Sequence, residues 1–262
     1  HLTNTIRQQQ IYNAMEWDIP IYSHIPLIHG MDGSKLSKRH GALGINAYKE
    51  MGYLTESMLN YLLRLGWSHG DKEIFSRNEA KELFNLESIG KSSAKFDIDK
   101  LNSLNSMYIN KIDNKDLSDY INKLYKKDSI NLNDKQLKLI INGLDGIKAR
   151  ARTIIELKEM TSFYTAKTPI PLDKKSQKVL NSENIKLLIN YAPFLEKLEE
   201  WTKNKIEENI KSYCNSININ LGKLAQPLRA ATTGKSVSPG LYEVMEVLGK
   251  EETLNRIQNI NN

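Results

Sequence analysis

Cysteine is almost absent from this chain: Cys214 is the only one in 262 residues. A single thiol excludes an intramolecular disulfide, and no signal-peptide pattern opens the sequence, so a reducing, cytoplasmic setting is expected. Histidine is nearly as scarce, and all five, at positions 1, 24, 29, 40 and 69, precede residue 70. With Cys214 far away there is no His/Cys ligand spacing for zinc, and no metal site is expected. No apolar run approaches the ~18 residues of a membrane span, so a membrane partner is not expected either. An initiator Met is also lacking. His1-Leu2-Thr3-Asn4 runs directly into a helical pattern, as expected of a piece cut from inside a longer protein.

What remains is the composition of a soluble globular chain, with 40% hydrophobic and 26% charged residues. The formal charge of +6 is regional: residues 91–175 hold 17 basic and 11 acidic side chains, and the remainder balances. A basic middle flanked by neutral segments suits attraction to a phosphate backbone, and a solvated lysine-rich helix surface would give the same count.

The periodicity predicts a helix over 7–16, then an extended stretch over 19–28 whose Pro20, Pro26 and β-branched residues oppose helix. Residues 31–44 form a Gly- and charge-rich loop, and Met58, Leu59, Leu62, Leu63 and Leu65 make an amphipathic helix from Thr55 to Gly66. Strand content is expected to stop there. Further helices are expected over 78–84, 115–127, 134–142, 147–164, 176–191, 194–213, 220–230 and 240–259. Thr168-Pro169-Ile170-Pro171-Leu172 interrupts helix on both sides and is the best internal boundary. The fold class is therefore mainly α, with the remnant of an α/β fold in front of helical modules.

The strongest local signal is Met31-Asp32-Gly33-Ser34-Lys35-Leu36-Ser37-Lys38-Arg39-His40-Gly41. Three permanent cations bracketed by glycines can bend around a triphosphate and oppose the charge that builds on a leaving pyrophosphate. An exposed basic turn fits the spacing equally well. Other tempting sites fail. Thr233-Gly234-Lys235-Ser236 ends like a Walker A loop, but Arg229 occupies the position of its first glycine. Glu199-Glu200 and Glu207-Glu208 read as a solvated, ion-paired helix face, and Trp67, Trp201 and Tyr191 as core.

Lys35-Leu36-Ser37-Lys38-Arg39 resembles the KMSKS signature of class I aminoacyl-tRNA synthetases, and its setting is similar to the bacterial glutamyl-tRNA synthetases. Tyr48-Lys49-Glu50-Met51-Gly52-Tyr53-Leu54 and Leu65-Gly66-Trp67-Ser68 resemble the segment after the signature. Gln226-Pro227-Leu228-Arg229-Ala230-Ala231-Thr232-Thr233-Gly234 and Pro239-Gly240-Leu241 resemble the family's C-terminal module. The resemblance runs over the whole chain.

It implies three parts. Residues 1–114 would be the end of the nucleotide-binding fold with its signature loop and a helical stem-contact region; 115–172 and 173–262 would be two helical anticodon-binding modules. It also implies catalytic roles for Lys38 and Lys35, ATP contacts from Lys35, Leu36, Ser37, Lys38 and Arg39, and anticodon contacts from Arg150, Arg152 and Arg229, with Arg150 the best match and Arg152 the second for the arginine that reads the third anticodon base in the family. ATP with Mg2+ and glutamate would be the substrates and tRNA(Glu) the partner, with tRNA(Gln) left open; no zinc is expected, and the family's habit is monomeric. The family's HIGH-like signature and most of its glutamate pocket have no counterpart in this sequence. A chain without them is expected not to ligate glutamate alone, because catalysis needs both reactants held in near-attack geometry. A non-catalytic helical tRNA-binding module is the alternative.

Overall fold

Most helices described in this protein begin where the sequence supplies a short side-chain acceptor. Asn133 and Ser76 each close a reciprocal capping box, with Gln136 and Glu79 respectively, and Asp113, Thr153, Asp173, Asn181, Thr202 and Asn220 cap singly. Each such cap is worth about 1 kcal/mol. The structure is a computed structural model that describes residues 2–36 and 43–260. It divides into two compact units, His1–Asn105 and Ser106–Asn262.

In the first unit, helix α1 (Leu2–Ala14) leads through an extended segment to strand β1 (Ile28–His29). Helices α2 (Ile45–Glu50), α3 (Thr55–Arg64) and α4 (Arg77–Leu83) follow, and strand β2 (Ala94–Lys95) pairs in parallel with β1. The stretch over 19–28 is extended as expected, but only its last residue pairs as strand, and strand reappears after residue 90. Pro20 and Pro26 each lack the N–H that a ladder needs, so pairing is confined to the residues beyond them. A small core joins Tyr53, Met58, Tyr61 and Leu101 to Tyr48 and Phe96. Buried polar groups are satisfied within it: Asn105 Oδ1 accepts from Leu54 N–H at 2.9 Å, and Asn60 Oδ1 accepts from Phe75 N–H at 2.6 Å.

Helix α5 (Ile98–Lys111) is followed in the second unit by α6 (Asn114–Lys127), α7 (Asp134–Gly143) and α8 (Ile154–Thr165), the last three packing mutually. Gly143 lets the Tyr164 ring pack where a Cβ would stand 2.2 Å from its Cε2. Then come α9 (Lys174–Val179), α10 (Ser182–Glu196), α11 (Lys203–Ser216), α12 (Leu221–Thr233), α13 (Leu241–Leu248) and α14 (Lys250–Gln258). Leu188, Tyr191 and Leu195 stand on one face of α10 and are fully buried. Burial of each stabilises the fold by about 2 kcal/mol. They meet Ile206 and Ile210 of α11, Leu224 and Leu228 of α12 and Met245 of α13 in one cluster.

Several expected helices are split. The helix expected over 147–164 is a 3-10 turn over Lys148–Arg150, an extended Ala151 (φ −88°, ψ 135°), and then α8 capped by Thr153. Asn181 and Thr202 end the continuity expected over 176–191 and 194–213 by capping new helices, and Gly249, at φ +82°, divides 240–259. The aromatic residues read as core are core: Trp67 and Tyr191 are buried, and Trp201 donates its indole N–H to Met245 O at 2.8 Å. Glu207 and Glu208 pair with Lys211 and Lys205 on the surface.

Candidate functional site

In the first unit, β1 leads into a tight turn that carries the start of the signature loop. Gly30 N–H donates to Ser34 O at 2.9 Å, Leu36 N–H donates to Ile28 O at 2.9 Å, and Lys35 bridges His29 in antiparallel register. Gly33 sits at φ +79°, where a Cβ would be strained. Asp32 fixes the tip, accepting from Ser34 N–H at 3.0 Å and from the Ser34 hydroxyl at 2.9 Å. Lys35 is exposed on the return arm and Leu36 half-buried. Ser37, Lys38 and Arg39 lie outside the described residues.

The second unit brings two of the three expected arginines together. Arg150 ends its 3-10 turn, with its N–H bonded to Ile147 O at 2.9 Å. The turn is pinned from behind by Lys148, whose ammonium donates to Asn114 Oδ1 at 2.9 Å and pairs with Asp145 at 3.2 Å. From this turn Arg150 reaches the loop between α12 and α13, donating Nη1 to Ser238 O at 3.2 Å. Arg229, on α12, donates Nη1 to the same oxygen at 3.2 Å, to Pro239 O at 2.7 Å, and to the Ser238 hydroxyl. Arg150 is exposed and Arg229 half-buried. Burial, and next the Arg150 charge, push the Arg229 pKa below its ordinary value.

Arg152 faces elsewhere. Its Nε pairs with Glu156 at 3.5 Å, and its backbone N–H donates to the same carboxylate at 2.7 Å. The two arginines are not on one helix, as their spacing suggested; the extended Ala151 separates them, and their side chains bind different partners.

Beside Arg150 lies a cleft of about 240 Å³. Ile147, Met160 and Phe163 give it apolar walls, Val237, Ser238 and Pro239 close one side, and Glu156, Glu159 and Lys235 add charge. Sites for whole drug-sized ligands occupy roughly 300–1,000 Å³, and this cleft is smaller than that. A guanidinium at its edge can stack on a planar ring or present a planar donor fork to it.

Residues 103–261 match the model of the anticodon binding domain, and residues 1–103 match the catalytic domain of class I tRNA synthetases (E and Q). The chain belongs to the anticodon-binding domain family. It is 46% identical to glutamate–tRNA ligase 2 of Parvibaculum lavamentivorans, over 98% of this chain and 53% of that protein. It is also 46% identical to glutamate–tRNA ligase 2 of Paramagnetospirillum magneticum, over 98% of this chain and 54% of the relative. The chain thus spans about half the length of the curated relatives it matches. The crystal structure of a glutamate tRNA ligase from Elizabethkingia meningosepticum, in complex with its amino acid, superposes with a TM-score of 0.81 at 27% identity, covering 99% of this chain and 55% of that one.

Within the anticodon-binding domain, sequence reasoning singled out Arg150 and Arg229 but missed what surrounds them. Lys235 donates Nζ to Glu159 O at 2.6 Å, and the Asp173 carboxylate accepts from Ser236 N–H at 2.9 Å. Neither contact has a local signal, since each joins elements far apart in the chain. Phe163 was readable only as an apolar position of α8.

Proposed function

We propose that this chain supplies the tRNA-engaging part of a glutamate–tRNA ligase, with the Arg150 cleft receiving an anticodon base. The observation that carries the reading is the convergence of Arg150 and Arg229 on one neutral carbonyl beside a small cleft of mixed apolar and charged lining. It is supported by the family matches and by relatives named as glutamate–tRNA ligases. Residues 1–114 would carry the signature loop and the stem contacts, and 115–172 and 173–262 the anticodon arm. The partner is tRNA(Glu); a cleft built around one arginine leaves tRNA(Gln) to be decided by binding. The working state is a monomer in the cytoplasm, and no helix among the described residues is long and apolar enough to cross a membrane.

In the joined reaction, glutamate and ATP would form an aminoacyl adenylate and pyrophosphate, and the acyl group would pass to a hydroxyl of the terminal ribose of tRNA with release of AMP. Mg2+ accompanies ATP and shields its phosphate charge. Lys35, Lys38 and Arg39 act on the triphosphate as fixed positive charges that strengthen their hold as pyrophosphate departs. Leu36 and Ser37 would add contacts to ATP, and the turn held by Asp32 leads into Lys35. The chain alone is proposed to bind without ligating, because the relatives it matches are about twice its length.

The test is binding of the chain to unmodified transcripts of tRNA(Glu), tRNA(Gln) and an unrelated tRNA across a salt series, beside a pyrophosphate-exchange assay. The reading expects preference for the glutamate transcript at every salt concentration and no exchange. Equal, purely salt-driven binding of all three contradicts it.

A further inference from the structure

We propose that Asp173 is a positioning residue for the RNA contact: by clamping the start of the Gly234–Pro239 loop it holds the wall of the Arg150 cleft in place. The inference rests on the reading of that cleft as an anticodon-base site.

Asp173 makes bonds in two directions. Its Oδ1 accepts from Ser176 N–H at 2.6 Å and so caps α9. Its Oδ2 accepts from Ser236 N–H at 2.9 Å and from the Ser236 hydroxyl at 3.3 Å. The Asp173 N–H returns the exchange, donating to Gly234 O at 2.8 Å. The loop therefore lies along the chain entering α9, pressed so closely that a Cβ on Gly234 would stand 2.0 Å from Pro171 O.

The consequences run along five residues. Immediately after Gly234, the Lys235 ammonium reaches across to Glu159 O, and Val237, Ser238 and Pro239 line the cleft. Arg150 and Arg229 then grip Ser238. The loop is held at its start by a carboxylate and at its end by two guanidiniums, which repel each other and have only neutral acceptors there. Both ends are charge-assisted hydrogen bonds, guanidinium donors on Ser238 and a carboxylate acceptor on Ser236, so the position of the loop depends on each. Releasing the Asp173 end leaves Ser238, and through it Arg150, free to shift relative to Phe163 and Ile147.

Substitution can separate the two jobs of the side chain. Asn caps a helix as well as Asp, so Asp173→Asn preserves the start of α9. Its amide nitrogen, placed where Oδ2 stood, cannot accept from Ser236 N–H. The experiment compares wild type, Asp173→Asn, Arg150→Ala and the double variant, using the full chain. Three quantities are read: the affinity ratio between a tRNA(Glu) transcript and one changed at the third anticodon base, the salt slope, and hydrogen exchange of the 235–238 amides.

The proposal expects Asp173→Asn to lower the ratio by about threefold to tenfold. The salt slope should hold, loop exchange should accelerate, and the double variant should be no worse than Arg150→Ala. Asp173→Asn with a wild-type ratio overturns the positioning role while leaving the base-reading cleft standing. A wild-type chain with no preference between the transcripts overturns both. Faster exchange throughout α9 and its neighbours, with both transcripts weakened alike, identifies a stability role and overturns the proposal.

Discussion

Arg150 and Arg229 share one acceptor: each places Nη1 3.2 Å from the carbonyl oxygen of Ser238. Like charges are brought together this way only when the surrounding fold holds them. Here α12 holds one, and a 3-10 turn tied down by Lys148 holds the other. Both face neutral oxygens in the shared loop, so the positive potential is available to an approaching polyanion.

The three arginines are expected to differ on substitution. Arg150→Ala removes an exposed side chain, so tRNA affinity should fall by about 1–3 kcal/mol with Tm nearly unchanged. Arg229→Ala removes a half-buried donor that ties Ser238 and Pro239 to α12 and should lower both affinity and Tm. Arg152→Ala loses a surface ion pair with Glu156 and should change affinity little. Filter binding and thermal melts on the three variants decide it. Loss of affinity led by Arg152→Ala would contradict the assignment.

Two glycines on the same helix predict opposite signs. Gly234 ends α12 at φ +70° with Pro171 O 2.0 Å from its missing Cβ, so Gly234→Ala should cost about 1–3 kcal/mol. Gly222, in the first turn of α12, has only Asn220 Oδ1 at 3.6 Å, and Gly222→Ala should stabilise by about 0.4–1 kcal/mol. Denaturant melts of both variants, read at constant m, provide the check.

Much of this was legible in the residues, and the rest was lost for identifiable reasons. The signature loop and the candidates Arg150 and Arg229 stand in contiguous motifs, so they could be read without a structure. Helix α5 could not, because Asn102, Ser103, Asn105 and Ser106 are weak helix formers and its helicity comes from burying Leu101 and Ile109. The break at Ala151 is written only in the Thr153 cap, whose side chain accepts from Glu156 N–H while no Gly or Pro marks the stop. Asp173 shows in the sequence only as a helix cap; its bonds to Ser236 and Gly234 exist only once the 234–239 loop folds onto it.

Acid should loosen the two units through different carboxylates. In the first, the Lys72 ammonium, and then the Ser76 backbone N–H and hydroxyl, hold the Glu79 pKa at about 2 instead of its ordinary 4.5. In the second, the Ser176 and Ser236 N–H groups hold Asp173 at about 2 instead of 3.8. For a depressed carboxylate the unfolded chain binds more protons, so the stabilisation is complete above the ordinary value and is lost as pH falls toward 2. Tm should therefore drop between about pH 4.5 and 2. Asp173→Asn should flatten the lower part of that decline, and a Tm profile identical to wild type would contradict the clamp.

The central claim is that Arg150 reads the third anticodon base, and a thermodynamic cycle tests it most directly. Wild type and Arg150→Ala are each titrated, at one fixed salt concentration, with tRNA(Glu) transcript and with the same transcript changed at that base. The account predicts that wild type prefers the unchanged transcript and that Arg150→Ala binds the two alike, giving a coupling of about 1–3 kcal/mol. A coupling of zero, with Arg150→Ala weakening both transcripts equally, would make Arg150 a phosphate contact and contradict the account.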